Sequence, residues 1–212
     1  PKLIYYFGEL NEIKQLAKAQ KDDKNKGIKG TAIGHMSDMM YDNLSTRDRP
    51  VDRTVKIGTE TVTMADATRN MMLHVFGQAL LTSLYGRNAA DYSGDLHERD
   101  QPSLISGAIG KAEERQAIDN YADMVNNLYG QDIGERVGAT LGISSDTVWT
   151  PELTAKYLNA VQAEIGKEMG WSFKQFDQGS EQVQRFTARL NQATGSEERQ
   201  KAREARIERM QH

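Results

Sequence analysis

The sequence predicts a mainly α-helical single domain around one central buried helix, about residues 64–85, with one small β-hairpin at about 53–63. Three observations carry this prediction. Apolar residues recur at three- and four-residue spacing through most of the chain, which is the repeat of a helix face. Glycines separate those stretches, and only one run alternates with the two-residue period of a strand.

Taken in order, residues 2–20 place Leu3, Tyr6, Leu10, Ile13 and Leu16 on one apolar stripe of a helix, which the polar run KDDKNKG stops. A Met-rich helix follows at about 31–44, with Ile33, Met36, Met39, Met40 and Leu44 available to a core. STRDRPVDR is loop chemistry. In RTVKIGTETVTM, 53–64, Val55 and Ile57 flank Lys56, Gly58-Thr59 makes a turn and Val62 returns among threonines, so a hairpin is expected. Thr63 stands three residues before Asp66, a T-x-x-D helix start, and the helix it opens runs to Tyr85 and stops at Gly86. A shorter helix covers about 88–98, QPSLISGAIG is a loop, and a helix of about 110–129 stops at Gly130. Gly134, Gly138 and Gly142 then punctuate a further short helix. Thr150 caps a helix with Pro151 at its first position, ending at Gly166 or Gly170, and Ser180 caps another ending at Gly195. The charged stretch 196–212 has few apolar residues and reads as a solvated, frayed or partner-dependent tail behind a domain of 1–195.

Composition narrows the function classes. With 27 basic and 30 acidic side chains and a net charge of -3, the chain lacks the basic footprint of a phosphate-gripping protein, so no nucleic-acid partner is expected. Zero cysteines exclude disulfides, thiol nucleophiles and Cys-based metal sites. The longest apolar stretch, MMLHVFGQALLTSLY, falls short of the roughly 20 residues that span a bilayer, and the opening residues do not form a cleavable signal peptide.

The central helix carries large apolar side chains on nearly every face, yet Asn70, His74, Gln78 and Tyr85 fall on one side of it, with Leu81 among them. A buried polar group without a partner costs roughly 1–3 kcal/mol, so neighbours must supply polar groups opposite the stripe. Two helices can do so. Asp91, Asp95 and Glu98 share a face beside His97, and Asp119, Asp123 and Asn126 flank the apolar face of the helix that follows. Three helices thereby converge on His74, His97, Glu98, Asp123 and Asn126. Two histidines with carboxylates suit a divalent metal, or an acid-base site without one, or a structural hydrogen-bonded network. The spacing matches no defined metal motif, and cofactor and metal stay unassigned. No P-loop, dinucleotide fingerprint or G-x-S-x-G elbow is present.

The segments DATRNMMLHVFGQALLTSLYG (66–86), DLHE (95–98) and IDNYADMVNNLYGQDIG (118–134) resemble an uncharacterised family of bacterial domains. The family pattern is an Asp-Ala start, a His followed by an aromatic and Asn-Ala-Leu, a Tyr or Phe before Gly, Ala-His-Glu, and Asp-x-x-Asn-Asn before Gly. The family's Arg before the first His is Leu73 here, and its Trp-Asn is Gly77-Gln78. Such domains commonly form the C-terminal ends of large secreted or contact-delivered toxins. The resemblance singles out His74, His97, Glu98, Asp123, Asn126 and Asn127.

It implies an antibacterial effector used by one bacterium against another, stored with a cognate immunity protein and delivered by secretion machinery or within a larger polypeptide to the target-cell envelope or periplasm. The expectation is a hydrolase acting on cell-envelope substrate through His74, His97, Glu98 and Asp123, with Gln78, Asn126 and Asn127 contacting substrate. Whether the chain is an enzyme stays open. One alternative is a membrane-permeabilising, depolarising toxin that exposes its central apolar helix, and another is a non-catalytic structural or interaction module.

Overall fold

A computed structural model describes the backbone of residues 32–49, 54–57, 60–100 and 111–195, and the side chains of these residues except 54–57, 60–64, 66, 95–100 and 111–121. The stretches 2–20, 101–110 and 196–212 read from the sequence lie outside the described residues. The protein is mainly α-helical. Its elements are α1 (Ala32–Asn43), the strands β1 (Thr54–Ile57) and β2 (Glu60–Thr63), then α2 (Met64–Tyr85), α3 (Arg87–Asp100), α4 (Lys111–Leu141), α5 (Pro151–Met169) and α6 (Glu181–Thr194). The hairpin pairs Val55 with Val62 and Ile57 with Glu60 in an antiparallel register, as the alternation predicts.

α2 is the centre of the fold because it has apolar side chains all round. Met72, Val75, Phe76, Ala79, Leu80 and Leu84 are buried on its different faces, against α1, α3 and α4. α1 brings Met36, Met39 and Met40 into the same core, where unbranched methionines fill irregular gaps. α1 and α2 run in opposite directions: the Ser37 hydroxyl donates to the Arg69 carbonyl over 3.2 Å, while Ile33 packs four residues earlier against Gly77. Gly86 then reverses the chain. Its φ of 84° lies in the left-handed region that favours glycine, and its amide closes the last turn of α2 on the Thr82 carbonyl.

The sequence places a helix end at Gly130 and a separate short helix after it. The structure corrects this: α4 is one helix from Lys111 to Leu141, and Gly130, Gly134 and Gly138 are interior to it. The physical reason is contact. A Cβ on Gly130 would lie 2.3 Å from the Val75 carbonyl oxygen, and one on Gly134 would lie 2.5 Å from that of Ala79. The glycines sit one turn apart on the face that lies directly on the α2 backbone, so they serve close packing and not termination.

The last two helices follow the sequence closely. Thr150 accepts the Leu153 amide with Pro151 in the first turn of α5, and Gly170 ends that helix at φ 65°. Ser180 accepts the Val183 amide at the start of α6, and Gly195 ends it at φ 61°. Two side-chain amides tie irregular backbone to these helices. Asn191 brackets Trp149, accepting its N–H and donating to its carbonyl, and Asn159 does the same for Phe176.

Candidate functional site

Asn70, His74 and Gln78 stand one turn apart along α2, and Asp123, Asn127 and Gln131 stand one turn apart along α4. The structure sets these two rows face to face. Asn70 Nδ2 donates to Asp123 Oδ1 over 3.2 Å, His74 Nδ1 meets Asn127 Oδ1 at 3.0 Å, and Gln131 Nε2 donates to Gln78 Oε1 over 3.1 Å. Each pair is separated by 53 residues of chain, so α2 and α4 run parallel in one fixed register. The Gly130 contact falls between the last two rungs and those of Gly134 and Gly138 continue the close approach beyond them, which lets the side chains of the row reach across.

α3 closes the third side in the opposite direction. Asp91 accepts a second hydrogen bond from Gln131 Nε2 at 2.7 Å, and one turn further along α3 the missing side chain of Gly94 leaves room for two amides. A Cβ there would lie 3.1 Å from Gln78 Nε2 and 3.2 Å from Asn127 Nδ2. Arg87 fastens the start of α3 to Asp132 and Glu135 on α4 through exposed ion pairs, which are worth little individually.

At the centre, His74 Nε2 lies 3.2 Å from Asp123 Oδ1, with the ring 10% and the carboxylate 11% exposed. Both ring nitrogens therefore face oxygen atoms, one from a carboxylate and one from an amide. Burial grades along the row: Gln131 and Gln78 are enclosed, His74 and Asp123 are almost so, and Asn70 is open to solvent. The row thus has a closed end and a mouth. The α3 chain passes Gln131 at Asp91 and Asn127 at Gly94, so its final turn, which carries His97 and Glu98, continues toward the mouth. The side chains of His97 and Glu98 are outside the described ones.

Of the residues singled out by sequence, the structure joins His74 directly to Asp123 and Asn127 and encloses Gln78 at the closed end. Asn126 is half-buried and makes none of these hydrogen bonds. Gln131 was not among the candidates, although it continues the four-residue spacing of Asp123 and Asn127. Among the described residues, which leave out the side chains of His97 and Glu98, no three His, Asp or Glu are grouped to hold a metal ion. No described helix is long and apolar enough to cross a membrane.

A second buried polar junction lies beyond the closed end. Ser83 Oγ is within 2.8 Å of the Ala79 carbonyl, 2.9 Å of the Gly134 carbonyl and 3.2 Å of the Tyr157 hydroxyl. Ser83 has one proton to give to the two carbonyls, so the Tyr157 O–H donates to Ser83 and links α5 to both α2 and α4. Burial pushes the Tyr157 phenol well above its ordinary pKa, against the smaller opposing effect of the Ser83 hydrogen bond.

Comparison of the chain with protein-family models, with curated proteins and with solved structures finds no match. The functional reading therefore rests on the geometry of the site.

Proposed function

We propose that the chain is an antibacterial toxin domain that hydrolyses a cell-envelope substrate at the mouth of the α2–α4 row. The observation that carries this reading is the His74 and Asp123 pair, 3.2 Å apart and about nine-tenths buried, where the row begins to open. Active sites gather ionisable groups into buried, specifically paired arrangements of this kind.

Because both ring nitrogens of His74 are engaged, the ring is a positioning residue. It holds the Asp123 carboxylate in place, with Asn70 on the same oxygen. Asp123 and Glu98 are assigned the proton transfers to and from substrate and water, as paired carboxylates serve in general acid-base hydrolysis. His97 shares the α3 turn with Glu98, and Asn126, outside the row, is assigned to substrate contact. Gln78 and Asn127 support the packing of the site. The toxin assignment brings with it a cognate immunity protein and delivery by secretion machinery or within a larger polypeptide.

The test is expression of the full chain directed to the cytoplasm or to the periplasm, read by cell lysis and by a membrane-potential dye. Lysis from the periplasm that precedes depolarisation, and its loss in Glu98→Gln, supports hydrolysis. Depolarisation without lysis points to permeabilisation, and harmless expression in both compartments points to a structural module; either result overturns the proposal.

A further inference from the structure

We propose that the outer face of α4 is a docking surface for the N-terminal stretch of the same chain, residues 2–20. Asp123, Asn127, Gly130, Gln131 and Gly134 turn α4 toward α2. Met124, Val125 and Leu128 project from the other side and are 50%, 45% and 46% exposed. These three lie within a single turn and a half, and their clustering is unlike the singly scattered apolar residues normal on a protein surface.

The occupant is chosen by pattern and reach. Residues 2–20 carry Leu3, Tyr6, Leu10, Ile13 and Leu16 at three- and four-residue spacing, an apolar stripe that needs a partner. The tail 196–212 offers only Ile207 and Met210 besides alanines, and its charges lie all round. The described chain begins at Ala32, beside Ile33, which packs on Gly77 in the same turn of α2 that touches Gly130. From there to Leu128 is about two helix spacings, or roughly 20 Å. The polar connector 21–31 extends to about 40 Å, which is ample. Docking would cover the flank of α4 opposite the site and hold α4 in its register on α2.

The absence of cysteine makes the test direct. The full chain carrying Leu10→Cys and Leu128→Cys is treated with diamide and compared with a Leu10→Cys, Ala163→Cys control, whose second position is exposed on α5. Tyr6→Cys and Ile13→Cys, each with Met124→Cys, allow for a shift of register. The proposal predicts a disulfide within one chain for at least one α4 pair, formed at a rate independent of protein concentration, and little in the control. It is overturned if no α4 pair closes, if the control closes equally fast, or if the bonds join two chains, which would make a second copy the occupant.

Discussion

His74 and Asn127 meet at 3.0 Å across 53 residues of chain, and the pairs on either side of them, Asn70 with Asp123 and Gln78 with Gln131, have the same separation. Sliding one helix past the other by a turn would break every rung together. The polar row therefore fixes the register of α2 on α4, and that register is what brings a carboxylate to the mouth of the site. Stability and site geometry share the same side chains.

The His74 pair is expected to be coupled. Replacing His74 by Leu takes one hydrogen-bond partner from a carboxylate that is nine-tenths buried, which costs about 1–3 kcal/mol. In a double-mutant cycle with Asp123→Asn, urea unfolding is expected to show an interaction energy of roughly 1–3 kcal/mol. A value near zero would mean that the two groups do not depend on each other.

The interior glycines of α4 are expected to be intolerant of any side chain. Gly134→Ala puts a methyl group 2.5 Å from the Ala79 carbonyl oxygen, and overpacking of this kind costs about 1–3 kcal/mol in spite of the better helix propensity of Ala. Gly142→Ala meets no atom within 4 Å, but φ there is 66°, so it costs about 1 kcal/mol through the backbone alone. Denaturant midpoints of the two variants measure the difference. If no backbone lies close against Gly134, Gly134→Ala stabilises the protein through its better helix propensity.

Ser83→Ala is expected to cost more than Tyr157→Phe removes by loss of its hydroxyl. The first leaves the Tyr157 hydroxyl, in a wholly enclosed place, without its acceptor, at about 1–3 kcal/mol. The second leaves Ser83 with both carbonyl partners. Thermal unfolding of the two single variants and the double variant tests the ranking, and equal losses would contradict the assignment of Tyr157 as donor.

Two phenols are held protonated by burial, Tyr157 most strongly, and Tyr129 is pushed up to about 12 by burial first and then by Glu168. In the unfolded chain both ionise near pH 10. Between about pH 10 and 12 the folded state keeps protons that the unfolded state has released, so stability is full below pH 10 and falls as pH rises through that window. Urea midpoints across it are expected to drop, and Tyr157→Phe to drop less steeply.

Much of this was legible in the sequence for local reasons. The caps at Thr150 and Ser180 and the stops at Gly86, Gly170 and Gly195 each depend on a single residue's own chemistry, and each stands where the pattern puts it. Asn70, His74 and Gln78 stood out because a four-residue polar spacing is conspicuous in an apolar helix. The continuity of α4 was hidden because a glycine that ends a helix and a glycine that admits a neighbouring backbone look alike in one sequence. The even spacing of Gly130, Gly134 and Gly138 was the available clue, since helix ends do not recur every turn. The parallel register is a property of two distant segments, and no local pattern states it.

The most direct measurement of the functional claim uses purified full-length chain and isolated bacterial cell envelopes, with soluble fragments released over time identified by mass spectrometry. The account predicts release by the wild-type chain and a loss of at least about a hundredfold in Glu98→Gln with an unchanged circular-dichroism spectrum and unfolding midpoint, the scale on which general acid-base groups contribute. Release by Glu98→Gln at the wild-type rate, or no release by the folded wild-type chain, would contradict it.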